Sequence, residues 1–309
     1  MRYLLLILAS CLVFSFGCKS VTDKQNIFSG ENDSLVFIKS GSSTLAVDPT
    51  TGARFVSLEH KGTELLTGPE VNKQFYGSSL WLSPQKKYWP PSPVLDVEPY
   101  SHEIDGEQVT FLSKTDSLSG FQYTKKIVPL PEKNGFEIIY TIENITDSVK
   151  GVAAWEVTRL PKDGLSFFPL GEIPLDSCLL LDSVVDMTVE DNIMWHKYQS
   201  DDINFSPKKS KLFCDGAEGW IAYVHERVLF VKRFEDLSPT ETAPGETDIE
   251  IYVNVNQPYI EIEVQSAYKL LQPAEKIEWS VTWNLAGVPG NTDIETGNRK
   301  LLDLVNHQQ

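Results

Sequence analysis

Phe136-Glu137-Ile138-Ile139-Tyr140-Thr141-Ile142-Glu143 is the stretch that decides the fold class. Phe136, Ile138, Tyr140 and Ile142 share one face of an extended chain, and Glu137, Thr141 and Glu143 share the other. That period of two marks a half-buried strand. The same pattern recurs on either side of it. Ile249, Ile251, Val253 and Val255 alternate with Asp248, Glu250, Tyr252 and Asn254, and Trp279, Val281, Trp283 and Leu285 alternate with Glu278, Ser280, Thr282 and Asn284. About a dozen weaker runs begin at Leu35, broken by Gly, Pro, Asn and Asp. The tail from Thr296 to Val305 has the pattern for two or three helical turns, and no helical stripe precedes it. The pattern predicts an all-β, antiparallel sandwich or barrel.

Residues 1–17 read as a targeting segment. Arg2 is followed by an apolar run from Tyr3 to Phe16, roughly 14 residues, short of the about 20 a spanning helix needs. Ser15-Phe16-Gly17-Cys18 places a small residue before a cysteine at the end of that run, so Cys18 is the expected lipidation site. Leu8-Ala9-Ser10-Cys11 is a better four-residue match, but it leaves too short an apolar run. Residues 18–33 are polar and form a tether, 34–287 the β domain, and 288–309 a tail with a short helix. The expected location is the cell envelope, lipid-anchored to a bacterial membrane.

Removing Arg2 from the 27 basic residues leaves 26 against 43 acidic ones, a net charge of −17. That balance excludes nucleic acid and an anionic membrane surface as partners, since both require basic patches. Beyond the targeting segment only Cys178 and Cys214 remain, either a disulfide permitted by export or buried thiols.

The segment Val47-Asp48-Pro49-Thr50-Thr51-Gly52-Ala53-Arg54, continuing through Ser57-Leu58 and Gly62 to Glu64-Leu65-Leu66, resembles the opening hairpins of galactose-mutarotase-like proteins. Tyr140-Thr141-Ile142-Glu143-Asn144 resembles their mid-domain strand ending in Asn. Tyr259 to Glu263, Leu271 to Glu275 and Trp279 to Trp283 resemble their closing strands. The matches run in order from about Leu35 to Leu285. The resemblance implies a single large antiparallel β-supersandwich with a sugar site on one face. Envelope members of that superfamily carry segments like Leu80 to Gln85 and Trp155 to Arg159. The mutarotases' catalytic His after the Asn strand is absent here, where Ala154-Trp155-Glu156 stands, and so is their early Arg-Xaa-Ala-Asn-Arg stretch.

Phe75 to Pro93 carries Trp81, Tyr88 and Trp89 among four prolines, with Gln85 between the indoles. A proline-rich segment cannot pair as a central strand, so a loop is expected. It either stacks a pyranose, with Trp81, Trp89 and Gln85 as contacts, or plugs one end of the core. Glu261 and Glu263 share a strand face with Tyr259 and Gln265, their Cα atoms about 6.6 Å apart at ~3.3 Å per residue. They are either the acid–base pair of a sugar enzyme or a solvated acidic face. Trp155, Val157 and Arg159 take one face of their strand and Glu156 and Thr158 the other, so Glu156 and Arg159, a substrate-binding candidate, do not both meet one ligand unless a bulge intervenes. Glu156 is the favoured catalytic candidate of the two, because it follows the place of the missing His. His196, beside Trp195, is a hydroxyl-binding candidate or a satisfied structural His. Lys232, between Phe230 and Phe234 on one face, is a pocket donor or a snorkelling edge residue.

None of the 5 histidines has zinc-ligand spacing, and the acidic stretch from Asp176 to Asp191 lacks EF-hand spacing, so no metal is expected. No nucleotide, nicotinamide or serine-hydrolase motif occurs, so neither a cofactor nor a nucleotide partner is expected. The expected function is carbohydrate binding and processing by an envelope lipoprotein, with acid–base chemistry of an epimerase or glycosidase type. The alternative is a non-catalytic glycan binder that has lost the catalytic His.

Overall fold

The computed structural model describes residues 26–30, 34–172, 179–181, 187–197, 209–254 and 258–308. Among them, two antiparallel sheets face each other. The first contains β1 (Ile27–Ser29), β2 (Val36–Ser40), β3 (Ser43–Asp48), β4 (Arg54–His60), β5 (Thr63–Glu64), β6 (Ser78–Ser83), β11 (Lys150–Pro161), β13 (Leu179–Leu181), β16 (Lys209–Cys214), β19 (Ile249–Asn254), β20 (Tyr259–Gln265) and β21 (Lys269–Leu271). Its spatial order is β1-β2-β3-β4-β6-β11-β20-β19-β16-β13, with β5 on β4 and β21 on β11. The second contains β7 (Ser101–Asp105), β8 (Gln108–Leu112), β9 (Phe121–Leu130), β10 (Gly135–Asn144), β12 (Leu165–Pro169), β14 (Met187–Glu190), β15 (Ile193–Lys197), β17 (Trp220–His225), β18 (Val228–Arg233) and β22 (Lys276–Gly287). It runs β14-β15-β12-β17-β18-β22-β10-β9-β8-β7.

The alternation read from the sequence sets which face of each strand meets the other sheet. Phe136, Ile138, Tyr140 and Ile142 of β10 are buried between the sheets with Trp283 and Leu285 of β22 and Ile262 and Val264 of β20. The second sheet is also covered on its outer side. There Phe167, Trp195, Trp220 and Val231 lie under Leu301 and Val305 of α3 (Arg299–Asn306). Asn298 starts that helix by accepting a hydrogen bond from the Lys300 N–H, a cap that stabilises by about 1 kcal/mol. Burying Leu301 and Val305 contributes roughly 1.5–3 kcal/mol each.

One element departs from the sequence expectation. Phe75 to Pro93 is not a loop throughout, because Ser78–Ser83 is β6, an interior strand between β4 and β11 with every residue buried. The prolines begin only at Pro84, so the six residues before them keep all their N–H donors. The proline-rich remainder folds as two single-turn helices, α1 (Gln85–Tyr88) and α2 (Pro93–Asp96), with cis peptides at Ser83–Pro84 and Trp89–Pro90. Cys214 ends β16 in a disulfide, and Cys178 lies outside the described residues.

Candidate functional site

Register builds the site. On the outer face of the first sheet, three rows of side chains cross neighbouring strands. Trp81, Trp155 and Gln265 form one row, from β6 through β11 to β20. Ser79, Val157, Glu263 and Glu250 form the next, and Arg159, Glu261, Tyr252 and Lys211 the third. Directly paired residues in a sheet point to the same side, so residues more than 100 positions apart in sequence converge without any loop being required.

Glu250 and Glu263 face each other across β19 and β20, a destabilising like-charge pair unless a cation lies between them. Lys211 supplies it, with Nζ 2.6 Å from Glu250 Oε2 and 2.7 Å from Glu263 Oε2. Its third contact is Gln85 Oε1 at 2.8 Å. Glu250 also accepts from Gln85 Nε2 and from Gln265 Nε2, and Glu263 Oε2 accepts from Trp155 Nε1 at 2.6 Å. Glu246 closes the edge, accepting from Ser83 Oγ, the Gln85 N–H and Gln265 Nε2. Arg159 donates from Nε to Glu261 Oε1 at 2.7 Å and stacks on Phe75 and Trp81. Glu263 Oε1 and Arg159 Nη2 are buried with no hydrogen-bond partner among the described residues.

Above these charges sits an aromatic wall. Trp81 packs edge-on against Trp155 at 5.2 Å and Trp89 at 5.1 Å, and Phe75 stacks on Trp89 at 6.1 Å. Trp81 is fixed from behind, its Nε1 donating to Asp96 Oδ1, while Asp96 also takes Arg54. Trp89 is half exposed, whereas Trp81 and Trp155 are buried. The rings bound a cavity of about 540 Å³, whose remaining lining is Gln85, Lys86, Lys211, Tyr252, Tyr259 and Glu261.

Burial, then the neighbouring Glu263 charge, holds the carboxyls of Glu250 and Glu261 above the ordinary range, against the pull of Lys211 and Arg159 respectively. Burial pulls Lys211 down, but Glu250 and Glu263 outweigh it and leave the ammonium more firmly protonated than usual. Shared protons settle where charge is most crowded, so the cluster keeps Lys211 cationic.

Of the residues singled out in the sequence, Trp81, Gln85, Trp89 and Glu261 line the cavity. Arg159 lies beneath, on Glu261, and Glu263 is fully buried under Trp155 and Lys211. The other three are placed elsewhere. Glu156 points between the sheets, where Lys232 Nζ lies 2.8 Å from its Oε1, Trp283 Nε1 also donates to Oε1 and Tyr140 donates to Oε2. Lys232 is therefore neither an edge residue nor a pocket donor; its Nζ also donates to Thr158 Oγ1 at 2.6 Å. His196 belongs to β15 in the second sheet, buried against Ser166, with burial pulling its pKa to about 4. Strand alternation turns Glu156 to the face of β11 opposite the cavity, and Lys232 and His196 belong to the second sheet. Cys18 lies outside the described residues. Lys211, Glu250 and Glu246 were not picked out from the sequence. Glu250 was visible as a polar position opposite Ile249 and Ile251, but nothing in one strand reveals its partner on the next.

The two-sheet architecture is that of the galactose-mutarotase-like fold. A galactose mutarotase-like protein from Lactobacillus casei superposes with a TM-score of 0.56 at 14% identity, covering 82% of this chain and 100% of that one. A galactose mutarotase related enzyme from Lactobacillus acidophilus gives 0.54 at 10% identity, covering 84% and 99%. A TPR-domain containing protein from Parabacteroides distasonis gives 0.58 at 17% identity; the matched region is 85% of this chain but 48% of that longer protein. The chain belongs to the family described as Domain of unknown function (DUF4380), which matches residues 82–286. No curated protein matches it.

Proposed function

We propose that the cavity on the outer face of the first sheet binds a carbohydrate. The observation that carries this reading is the wall of Trp81, Trp89, Trp155 and Phe75 set over hydrogen-bonding side chains in one 540 Å³ space. A pyranose presents an apolar C–H face and a rim of hydroxyls, and this wall-and-floor arrangement matches both. Trp89 offers the open stacking surface; Gln85, Tyr252, Tyr259 and Glu261 reach the hydroxyls. The rigid sheet fixes most of these groups beforehand, which limits the entropy lost on binding. A screen of mono- and oligosaccharides by thermal shift tests the reading: a ligand at about 100 times its Kd raises stability by roughly 2.7 kcal/mol. A screen in which no sugar stabilises the protein rejects it.

A second reading adds turnover. Glu261 lines the cavity and its carboxyl is held above the ordinary range, first by burial, as general acid catalysis requires. In this reading Glu261→Gln binds sugar but loses about 10²-fold or more in anomeric exchange or hydrolysis. Wild-type protein that binds sugar and turns nothing over leaves the binding role alone. The apolar run ending at Cys18 supports a lipid-anchored envelope location; Cys18→Ser then releases the protein from membranes, and Cys11→Ser does not.

A further inference from the structure

We propose that the sugar taken by this cavity carries a protonated amino group. The inference rests on the carbohydrate reading above and names its ligand class. Under and beside the cavity lie four carboxyls against two cations: Lys211 pairs with Glu250 and Glu263, Arg159 pairs with Glu261, and Glu246 joins through Gln265, which it shares with Glu250. Lys211 has three ammonium hydrogens and three acceptors within 2.8 Å, so it has none left for an anionic ligand. Arg159 is paired with Glu261 through Nε and covered by Phe75 and Trp81, and its unpartnered Nη2 is buried away from the cavity lining. Lys86, the other cation of the lining, is exposed, where water and salt screen it.

The wall itself already accommodates cations. Lys211 Nζ lies 4.6 Å from the Trp155 ring centre, and the Arg159 guanidinium 4.8 Å from that of Trp81. Both fall within the about 6 Å over which an indole face attracts a positive charge. Trp89, half exposed at the cavity mouth, carries no such partner among the described residues. An ammonium placed between Trp89 and Glu261 gains the ring quadrupole on one side and the surplus carboxylate charge on the other. A uronate in the same place meets that surplus as repulsion, and a neutral sugar meets only the hydroxyl contacts.

The test titrates the full-length protein with three oligosaccharides of equal length, built of glucosamine, N-acetylglucosamine and glucose. Glucosamine oligomers should bind about tenfold or more tightly than the acetylated ones, the advantage shrinking as salt rises. Glu261→Gln should narrow that gap, bringing the glucosamine oligomer's advantage over the acetylated one toward unity. If that variant fails to fold, the acetylation and salt comparisons on wild type decide alone. Equal or tighter binding of the acetylated or neutral oligomers overturns the amine inference and leaves the carbohydrate reading standing. Failure of all three to bind overturns the amine inference, and the carbohydrate reading then falls only if the wider sugar screen also finds no stabilising ligand.

Discussion

The two faces of β11 carry two buried charge clusters, and they differ in what is left unfinished. On the inner face, Glu156 takes Lys232, Trp283 and Tyr140, Lys232 also donates to Thr158, and every member is sealed between the sheets. On the outer face, the cluster of Lys211, Glu250 and Glu263 leaves Glu263 Oε1 without a partner among the described residues, has an excess of carboxyls, and abuts a cavity. Buried charge alone therefore does not mark a site in this protein. An unfinished cluster beside a cavity does.

The largest expected effect comes from breaking the finished cluster. Lys232→Met strands a carboxylate between the sheets, and removing one partner of a buried pair typically costs about 3–5 kcal/mol. Burial pulls Lys232 below its ordinary pKa while Glu156 pushes back, so the pair is held by its geometry and not by solvent. Chemical denaturation of Lys232→Met should show that loss. Adding Glu156→Gln should recover much of it, because the stranded charge is gone. If Lys232→Met is as stable as wild type, the inner cluster is not the structural element described.

Asp248 tests whether an incompletely satisfied carboxyl outside both clusters behaves as burial demands. It precedes β19, fully enclosed, with Oδ1 accepting the Gly216 N–H and Oδ2 unpartnered among the described residues. Burial raises its pKa from 3.8 to about 7, with Asp215 and Asp236 adding to the rise and the Gly216 N–H opposing it. The folded state thus holds a proton that the unfolded state has already released. Its stabilising contribution is complete below the unfolded pKa near 3.8 and is lost as pH rises to about 7. Denaturation between pH 4 and 8 should reveal a decline of a few kcal/mol from this group, and Asp248→Asn should flatten it. An unchanged pH profile in the variant assigns the decline elsewhere.

Trp89→Ala probes the outer face alone. Trp89 is half exposed, so its loss should shift the melting temperature little. Sugar affinity should fall by about 2 kcal/mol, as for an aromatic anchor. A folded variant that binds as wild type makes Trp89 an outer cover of Trp81 and Trp155 instead of a stacking surface.

How much of this was legible follows from what alternation can and cannot report. A period of two assigned Glu261, Glu263, Tyr259 and Gln265 to one face of β20 and separated Glu156 from Arg159 on β11, and the structure has both arrangements. Alternation gives the face but not what covers it. In a sheet packed on both sides, a row of glutamates is as buried as a row of valines, so the solvated reading of Glu261 and Glu263 had no signal against it. Glu156 was favoured over Arg159 by its place after Asn144, and its partner Lys232 comes from another sheet, beyond the reach of any local pattern. The strand Ser78–Ser83 has no boundary signal of its own, since the loop signature of the prolines from Pro84 onward adjoins it directly. Lys211 became visible only through a register that sets it beside Tyr252, forty-one positions away.

The smallest expected effect completes the comparison with a pair that lies outside both sheets' interiors. Arg299, at the start of α3, lies 2.6 Å from Asp191, and both side chains are largely exposed, at 78% and 62%. The Arg299 guanidinium is held above its ordinary range, first by the hydrogen bond to Asp191 and then by its charge. Water screens the attraction, and fixing two long side chains loses entropy, so exposed pairs contribute little to folding. Asn298 already caps the helix, and Leu301 and Val305 hold it to the sheet, so α3 does not depend on this contact. Arg299→Ala should therefore leave the melting temperature within about 1 °C of wild type at moderate salt. A drop comparable to that of Lys232→Met would mean that ion-pair strength in this fold does not track burial, and the contrast between the two faces of β11 would lose its physical basis.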